Sequence, residues 1–179
     1  MAQEIRIGKV MITEEEINKK VTELADKVNA DFPDGELVVV GILKGCIMFL
    51  CDLTRKLKSE VRLDFMRVSS YGSGTESSGD IKIKKDIEID IAGKNVLIVE
   101  DIIDSGNTMV KLIPELQKRN PLSVKVCSLI SKPSRRQVEY DADYTGFEIP
   151  DNFIIGYGLD CDEKFRQLPY IAEADIVEL

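Results

Sequence analysis

VLIVEDIIDSGNTM, residues 96–109, carries an apolar strand into three acids and then into a run of small polar residues. Val96 to Val99 are four aliphatic residues in a row, as in a strand buried on both faces within a parallel sheet covered by helices. Glu100 and Asp101 end that run, Asp104 follows, and Ser105-Gly106-Asn107-Thr108 opens the next helix. Ligands of open α/β sheets bind beyond the carboxyl ends of the strands, so these acids stand at the ligand edge. Small residues at a helix start leave backbone N–H groups and hydroxyls free to cradle a phosphate. Adjacent acids suit vicinal hydroxyls or a hydrated cation. Together, acids and cup describe a site for a ribose 5-phosphate. An ordinary helix cap accounts for Asp or Ser singly, but not for three acids running into SGNT. Other nucleotide motifs fit worse: there is no P-loop, and Gly72-Ser73-Gly74 lacks the preceding strand and third glycine of a dinucleotide loop.

On either side of this stretch, strand-like and helix-like segments alternate without internal repeat or long linker, which reads as one α/β domain over residues 1–179. Thr13 and Glu16 make a capping box with Ile12 and Ile17 as its staple. Ile17, Val21, Leu24 and Val28 then share one helical face that ends before Pro33. ELVVVGIL (36–43) reads as a buried strand, Lys44-Gly45 as a break, and CIMFLCDL (46–53) as a helix lying against the sheet. VRLDF (61–65) and IKIKKDIEIDI (81–91) alternate in hydropathy around the Gly/Ser-rich SSYGSGTESSGD, which predicts a hairpin arm with a flexible tip. NVLIV (95–99), SVKVCSLI (123–130) and NFIIGYGL (152–159) are expected as the second, third and fourth buried strands. A helix is expected between residues 107 and 119, with a kink or a late start at Pro114.

At 179 residues a chain buries roughly 70% of the surface it exposes when unfolded, enough for a core without staples. Hydrophobic residues are 44% and charged residues 31%, values of a globular rather than a disordered chain. Lys and Arg total 24 against 32 Asp and Glu, a net charge of −8, so neither nucleic acid nor a membrane surface is the expected partner. A polyanionic ligand would need a cation or a local cluster of Lys, Arg and N–H groups. The absence of histidine excludes Ser-His-Asp and Cys-His catalysis and His-ligated zinc. Acid–base work falls to Asp, Glu, Lys, Tyr or Cys. The four cysteines have no CxxC spacing and sit in or beside apolar runs, as small hydrophobes of a reducing compartment do. No apolar run approaches the ~18 residues of a membrane span and no signal-peptide core is present, so a cytoplasmic protein is expected.

VLIVEDIIDSGNT closely resembles the phosphoribosyl pyrophosphate signature of the type I phosphoribosyltransferases. GILKGC (41–46), SSYGSGT (69–75), SLISKPSRR (128–136) and FEIPDNFIIGYGLDCDEKFRQLP (147–169) resemble the hypoxanthine-guanine branch of that family. The likeness runs from about residue 5 to residue 175. It implies a central, mostly parallel, twisted sheet flanked by helices. A core of about residues 10–150 would carry a small hood built from about 1–10 and 151–179, besides the arm. It implies transfer of a 5-phosphoribosyl group from phosphoribosyl pyrophosphate to N9 of a 6-oxopurine, with Mg2+ bound and pyrophosphate released.

Carried onto this chain, the resemblance puts Glu100 and Asp101 on the ribose hydroxyls and the metal's water shell, and Asp160 on a second metal position. Asp104 would serve N7 of the purine as general acid/base, and Asp104 through Thr108 would hold the 5-phosphate. Ser105 replaces the threonine common in this loop and keeps its hydroxyl, while Asn107 lacks the lysine of some relatives. Lys44, Gly45 and Arg166 would contact pyrophosphate, with the peptide before Lys44 sometimes cis in the family. Lys132 would donate to the 6-oxo group, Phe153 would stack on the base, and Ile154 would line its pocket. Ser70 and Tyr71 would ride a loop that closes over the reaction. A homodimer or homotetramer is implied as well. Two alternatives stand at this point: a xanthine-preferring transferase, and a non-catalytic regulator that binds phosphoribosyl pyrophosphate. The second would need a basic face, and the chain shows only short clusters such as KPSRR.

Overall fold

Hydrophobic alternation sorts the strands of the large sheet into two covered faces. The structure, a computed structural model, describes residues 3–70 and 81–178. β1 (Gln3–Ile12) leads into α1 (Glu14–Asp31), β2 (Glu36–Ile42), α2 (Ile47–Thr54), β3 (Glu60–Ser70) and β4 (Ile81–Lys85). β5 (Asn95–Ile103), α3 (Asn107–Gln117), β6 (Ser123–Ser131), β7 (Tyr144–Glu148), β8 (Ile154–Ile155) and β9 (Ile171–Glu178) complete the order. Six strands form one sheet in the order β4-β3-β2-β5-β6-β7, parallel except for β4 at the edge. Leu37, Val39, Leu97 and Val99 pack with α1 and α2 on one face. Val38, Val40, Val96 and Ile98 pack with Met109, Leu112 and Leu116 of α3 on the other. Successive strand residues point to opposite faces, so one run of valines fills both layers.

The chain leaves β2 toward β3 on one side and β5 toward β6 on the other, so the strand order reverses between β2 and β5. A crevice at such a switch point is where ligands of open α/β sheets bind. Here it receives the Lys44-Gly45 turn after β2 and the acidic end of β5. β1 and β9 pair antiparallel and β9 continues to β8, making a separate three-stranded sheet from the two ends of the chain. Among the described residues no helix is long and apolar enough to cross a membrane.

The capping box is present: Thr13 Oγ1 accepts from Glu16 N at 3.2 Å and Thr13 N donates to Glu16 Oε2 at 2.8 Å. Four expectations need correction. β5 does not stop at the acids but runs through them to Ile103, because Glu100, Ile102 and Ile103 continue the ladder to β6. Residues 86–91 are not strand: Asp64 accepts from Glu88 N and Ile89 N, at 2.6 and 3.0 Å. A carboxylate thus takes the N–H groups that a partner strand would have taken. The segment 152–159 supplies only β8, in the small sheet. Positive φ at Gly156, Tyr157 and Gly158 turns the chain there, and the place beside β6 goes to β7. Pro114 falls inside α3, which starts at Asn107 without delay. Pro114 is exposed on that helix, and its missing N–H leaves one helical carbonyl without an intrahelical donor. Strands β3 and β4 do pair antiparallel as an arm, while its tip, with Tyr71, lies outside the described residues.

Candidate active site

The loop from β5 into α3 is held from behind by one arginine. Arg136 donates to the carbonyls of Ile103 (2.7 Å), Asp104 (2.5 Å) and Tyr140 (2.8 Å), and to Ser131 Oγ (2.8 Å). Gln137 N adds a bond to Ser105 O at 3.0 Å. Gly106, the N-cap of α3, adopts φ 83°, and a Cβ there would meet Val138 Cγ2 at 2.9 Å. Only glycine satisfies both conditions. The first N–H groups of α3 have no intrahelical acceptor, and that of Asn107 is turned toward Ser105 Oγ at 3.3 Å. The Asn107 side chain reaches sideways to Gln137 Oε1 at 2.7 Å. Glu100 and the loop residues Asp104, Ser105, Gly106 and Thr108 line one cavity of about 90 Å³.

Glu100 Oε2 is buried without a hydrogen-bond partner. Burial, together with the neighbouring Asp101 charge, pushes its pKa well above the usual carboxylate value. Burial likewise lifts Asp101 to about 6, against the N–H bond from Ile102 and the nearby Arg166 that pull it down. Two carboxylates desolvated side by side favour a cation or hydroxyl donors between them and the ligand. Among the described residues no group of three or more His, Cys, Asp or Glu is placed to hold a metal alone. Glu100 and Asp101 are oxygen donors of the kind that hold a hard divalent ion through one or two carboxylates, with ligand phosphates completing its shell. Asp160 is engaged: Arg166 Nη2 lies 2.8 Å from its Oδ1, and its Oδ2 accepts from Glu163 N at 2.9 Å.

Across the crevice, the Leu43–Lys44 peptide bond is cis. A Cβ on Gly45 would collide with the Asp101 carboxylate, and one on Gly158 would strike Gly45 O. The Lys44-Gly45 turn thus meets the end of β5 and the turn at Gly158 too closely for a side chain at either glycine. Arg166 donates to Gly158 O at 2.7 Å, which fixes its guanidinium beside the same turn. Glu163 bridges Lys44 (2.8 Å) and Arg166 (3.0 Å).

After β6, Lys132 is buried and donates to Asn152 O at 2.6 Å, with Asp151 Oδ1 3.6 Å away. Phe153, next to Asn152 in sequence, is 51% exposed, an unusual state for a large aromatic residue, whereas Ile154 of β8 is buried in the apolar core. Arg135 joins the two halves of this region: its Nε lies 2.7 Å from Asp104 Oδ1, short of hydrogen-bond alignment, and its Nη1 is 3.0 Å from Asp151 Oδ2. The structure thus gathers Lys44, Gly45, Asp101, Asp160 and Arg166 on one side of the crevice. Glu100 shares its cavity with Asp104, Ser105, Gly106 and Thr108 on the other, and Lys132 follows β6 beside them. Ser70 ends β3, and Tyr71 is outside the described residues. Arg135, Arg136 and Glu163 had no assigned part in the sequence reading. Their signal was the basic KPSRR cluster in an acidic chain and the alternating charges of DCDEKFR.

The sequence matches the Phosphoribosyl transferase domain family over residues 11–162. It is 46% identical over 171 residues to the hypoxanthine phosphoribosyltransferase of Salmonella typhimurium, covering 94% of this chain and 96% of that protein. It is also 46% identical over 165 residues to the hypoxanthine-guanine phosphoribosyltransferase of Bacillus subtilis, covering 92% of each. The structure superposes on a crystal structure of a hypoxanthine-guanine phosphoribosyltransferase from Bacillus anthracis with a TM-score of 0.90 at 46% identity, covering 96% of this chain and 99% of that one. The chain therefore belongs to the phosphoribosyltransferase family, in its hypoxanthine-guanine branch.

Proposed function

We propose that this protein transfers the 5-phosphoribosyl group of phosphoribosyl pyrophosphate to N9 of hypoxanthine and guanine, releasing pyrophosphate in purine salvage. The observation that carries the reading is the single cavity shared by Glu100 and the Asp104–Thr108 cup at the end of β5. It offers acids for a ribose and N–H donors for its phosphate within one site. Glu100 and Asp101 hold the ribose hydroxyls. Ser105, Gly106, Asn107 and Thr108 receive the 5-phosphate through backbone donors and hydroxyls. Lys44, Gly45 and Arg166 take the leaving pyrophosphate, and their charge stabilises it as the glycosidic bond breaks. Asp104 receives the purine proton. Lys132 donates to the 6-oxo group in this reading, and its existing bond to Asn152 O supports a fixed donor there. A 6-amino base leaves that donor unmatched, which selects against adenine. Phe153 supplies a face for stacking, and Ile154 backs the pocket.

Mg2+ is the metal proposed, with Glu100, Asp101 and Asp160 as its protein contacts; bound there, it would neutralise charge on the departing pyrophosphate. A cytoplasmic location is part of the same proposal. A homodimer or homotetramer is proposed through α2, where Ile47 and Met48 are exposed; light scattering of the purified protein measures it.

An ultraviolet difference assay tests the function, with phosphoribosyl pyrophosphate and each of hypoxanthine, guanine, xanthine and adenine, with and without magnesium. Metal-dependent conversion of hypoxanthine or guanine with adenine inert is expected. Preference for xanthine would move the protein to the other transferase reading. Binding of phosphoribosyl pyrophosphate without turnover of any base would make it a regulator.

A further inference from the structure

We propose that Glu163 is an internal counter-anion of the pyrophosphate site, a positioning residue that holds Lys44 and Arg166 until a diphosphate displaces it. The inference rests on the reading of those two cations as pyrophosphate contacts. One carboxylate spans both: Oε1 lies 2.8 Å from Lys44 Nζ and Oε2 3.0 Å from Arg166 Nη2. Lys44 and Glu163 are 119 residues apart in sequence, so the contact joins the turn after β2 to the loop after β8. That loop is built to present it. Asp162, Glu163 and Phe165 all have positive φ, a conformation side chains rarely adopt, and Asp160 takes the Glu163 N–H at 2.9 Å. Fastening the backbone while leaving the side chain free is what a displaceable group requires.

The energetics favour displacement by a strong anion alone. The side chains of Glu163 and Lys44 are 63% and 43% exposed, so that pair is of the weak, screened kind, while Arg166, 21% exposed, is held by Asp160 and Gly158 O as well and does not depend on Glu163 alone. A diphosphate brings more negative charge and more acceptor oxygens than one carboxylate, and replaces it on both cations. A singly charged anion gains little by the exchange. Glu163 thereby keeps the cations oriented and raises the threshold for orthophosphate and other small anions.

Calorimetry with inorganic pyrophosphate and magnesium at low ionic strength tests this with the full chain. In Glu163→Gln, pyrophosphate is expected to bind about three- to tenfold tighter than in the wild type, the scale of an ion pair with one well-exposed partner. That gain should shrink toward unity near 1 M salt, where charges are screened within about 3 Å. The KM for phosphoribosyl pyrophosphate should fall without a rise in kcat, since release of pyrophosphate slows. Glu163→Ala should move binding in the same direction. Unchanged or weaker pyrophosphate binding in both variants, with normal binding in the wild type, would overturn the proposal. Pyrophosphate binding that Lys44→Ala leaves untouched would instead overturn the underlying assignment of the site.

Discussion

Lys132→Met is the substitution that isolates base recognition from everything else in the site. Lys132 is 7% exposed and its ammonium donates to Asn152 O at 2.6 Å, so it is fixed before a base arrives. A hydrogen bond from a charged donor contributes about 1.5–3 kcal/mol. At 1.36 kcal/mol per tenfold, kcat/KM for hypoxanthine should fall about 10- to 150-fold. Methionine nearly preserves the volume but leaves the Asn152 carbonyl without its donor, which costs about 1–3 kcal/mol. For a chain of this length that lowers Tm by about 2–12 °C, so the rates are taken well below the new transition. Initial rates with saturating phosphoribosyl pyrophosphate give kcat/KM, and calorimetry gives the affinity for phosphoribosyl pyrophosphate, which should not change. Purine, which has no 6-oxo group, serves as the control base and should be affected far less than hypoxanthine. Equal losses on both bases, or none on hypoxanthine in a folded variant, would refute the assignment of Lys132 to the 6-oxo group.

Asp104→Asn should retain phosphoribosyl pyrophosphate binding and lose about 10²- to 10⁴-fold in turnover, the range of a general acid–base group; unchanged turnover would remove Asp104 from the mechanism. Asp64→Ala should cost about 2–4 kcal/mol, since it strands the N–H groups of Glu88 and Ile89 bonded at 2.6 and 3.0 Å. A lower urea midpoint at constant slope is the readout. Burial works to raise the Asp64 pKa, but the N–H donors of Ile89, Phe65 and Glu88 outweigh it and hold it below the ordinary value. Its stabilisation is therefore present above about pH 4 and lost as pH falls through the folded-state pKa. That component of acid destabilisation should be missing in the variant. Chelation with EDTA should abolish turnover. Because the proposed ion is held by one or two carboxylates together with ligand phosphates, magnesium should raise Tm appreciably only with phosphoribosyl pyrophosphate present, as scanning fluorimetry would show.

Long apolar runs made the centre of the sheet legible: β2, β5 and β6 stand where ELVVVGIL, NVLIV and SVKVCSLI predict them. Their neighbours were less so, for specific reasons. NFIIGYGL has the composition of a buried strand, but its two glycines bend it out of the large sheet. YTGFE, which took the edge beside β6, is only five residues long and half polar. The alternation in IKIKKDIEIDI persists through residues 86–91, yet Asp64, distant in sequence, claims their N–H groups. The acids and the phosphate cup lie within nine residues, so their juxtaposition was local and readable. Arg135 on Asp104, Arg136 behind the cup and Glu163 on Lys44 are tertiary meetings, and nothing in their spacing specifies a partner.

The two sheets divide the labour of recognition, and that division makes the enzyme modular. In the proposed function, sugar, phosphate and the demand for a 6-oxo group fall to the large sheet, through β5, α3 and Lys132. Phe153 precedes and Ile154 opens β8, a strand of the small sheet woven from both chain ends. Substitutions in that small sheet can retune the reading of the purine 2-position, where hypoxanthine, guanine and xanthine differ. The cup between β5 and α3, which takes the 5-phosphate in that proposal, belongs to the other sheet and stays untouched. On that reading, base preference and the grip on the 5-phosphate are separable by substitution.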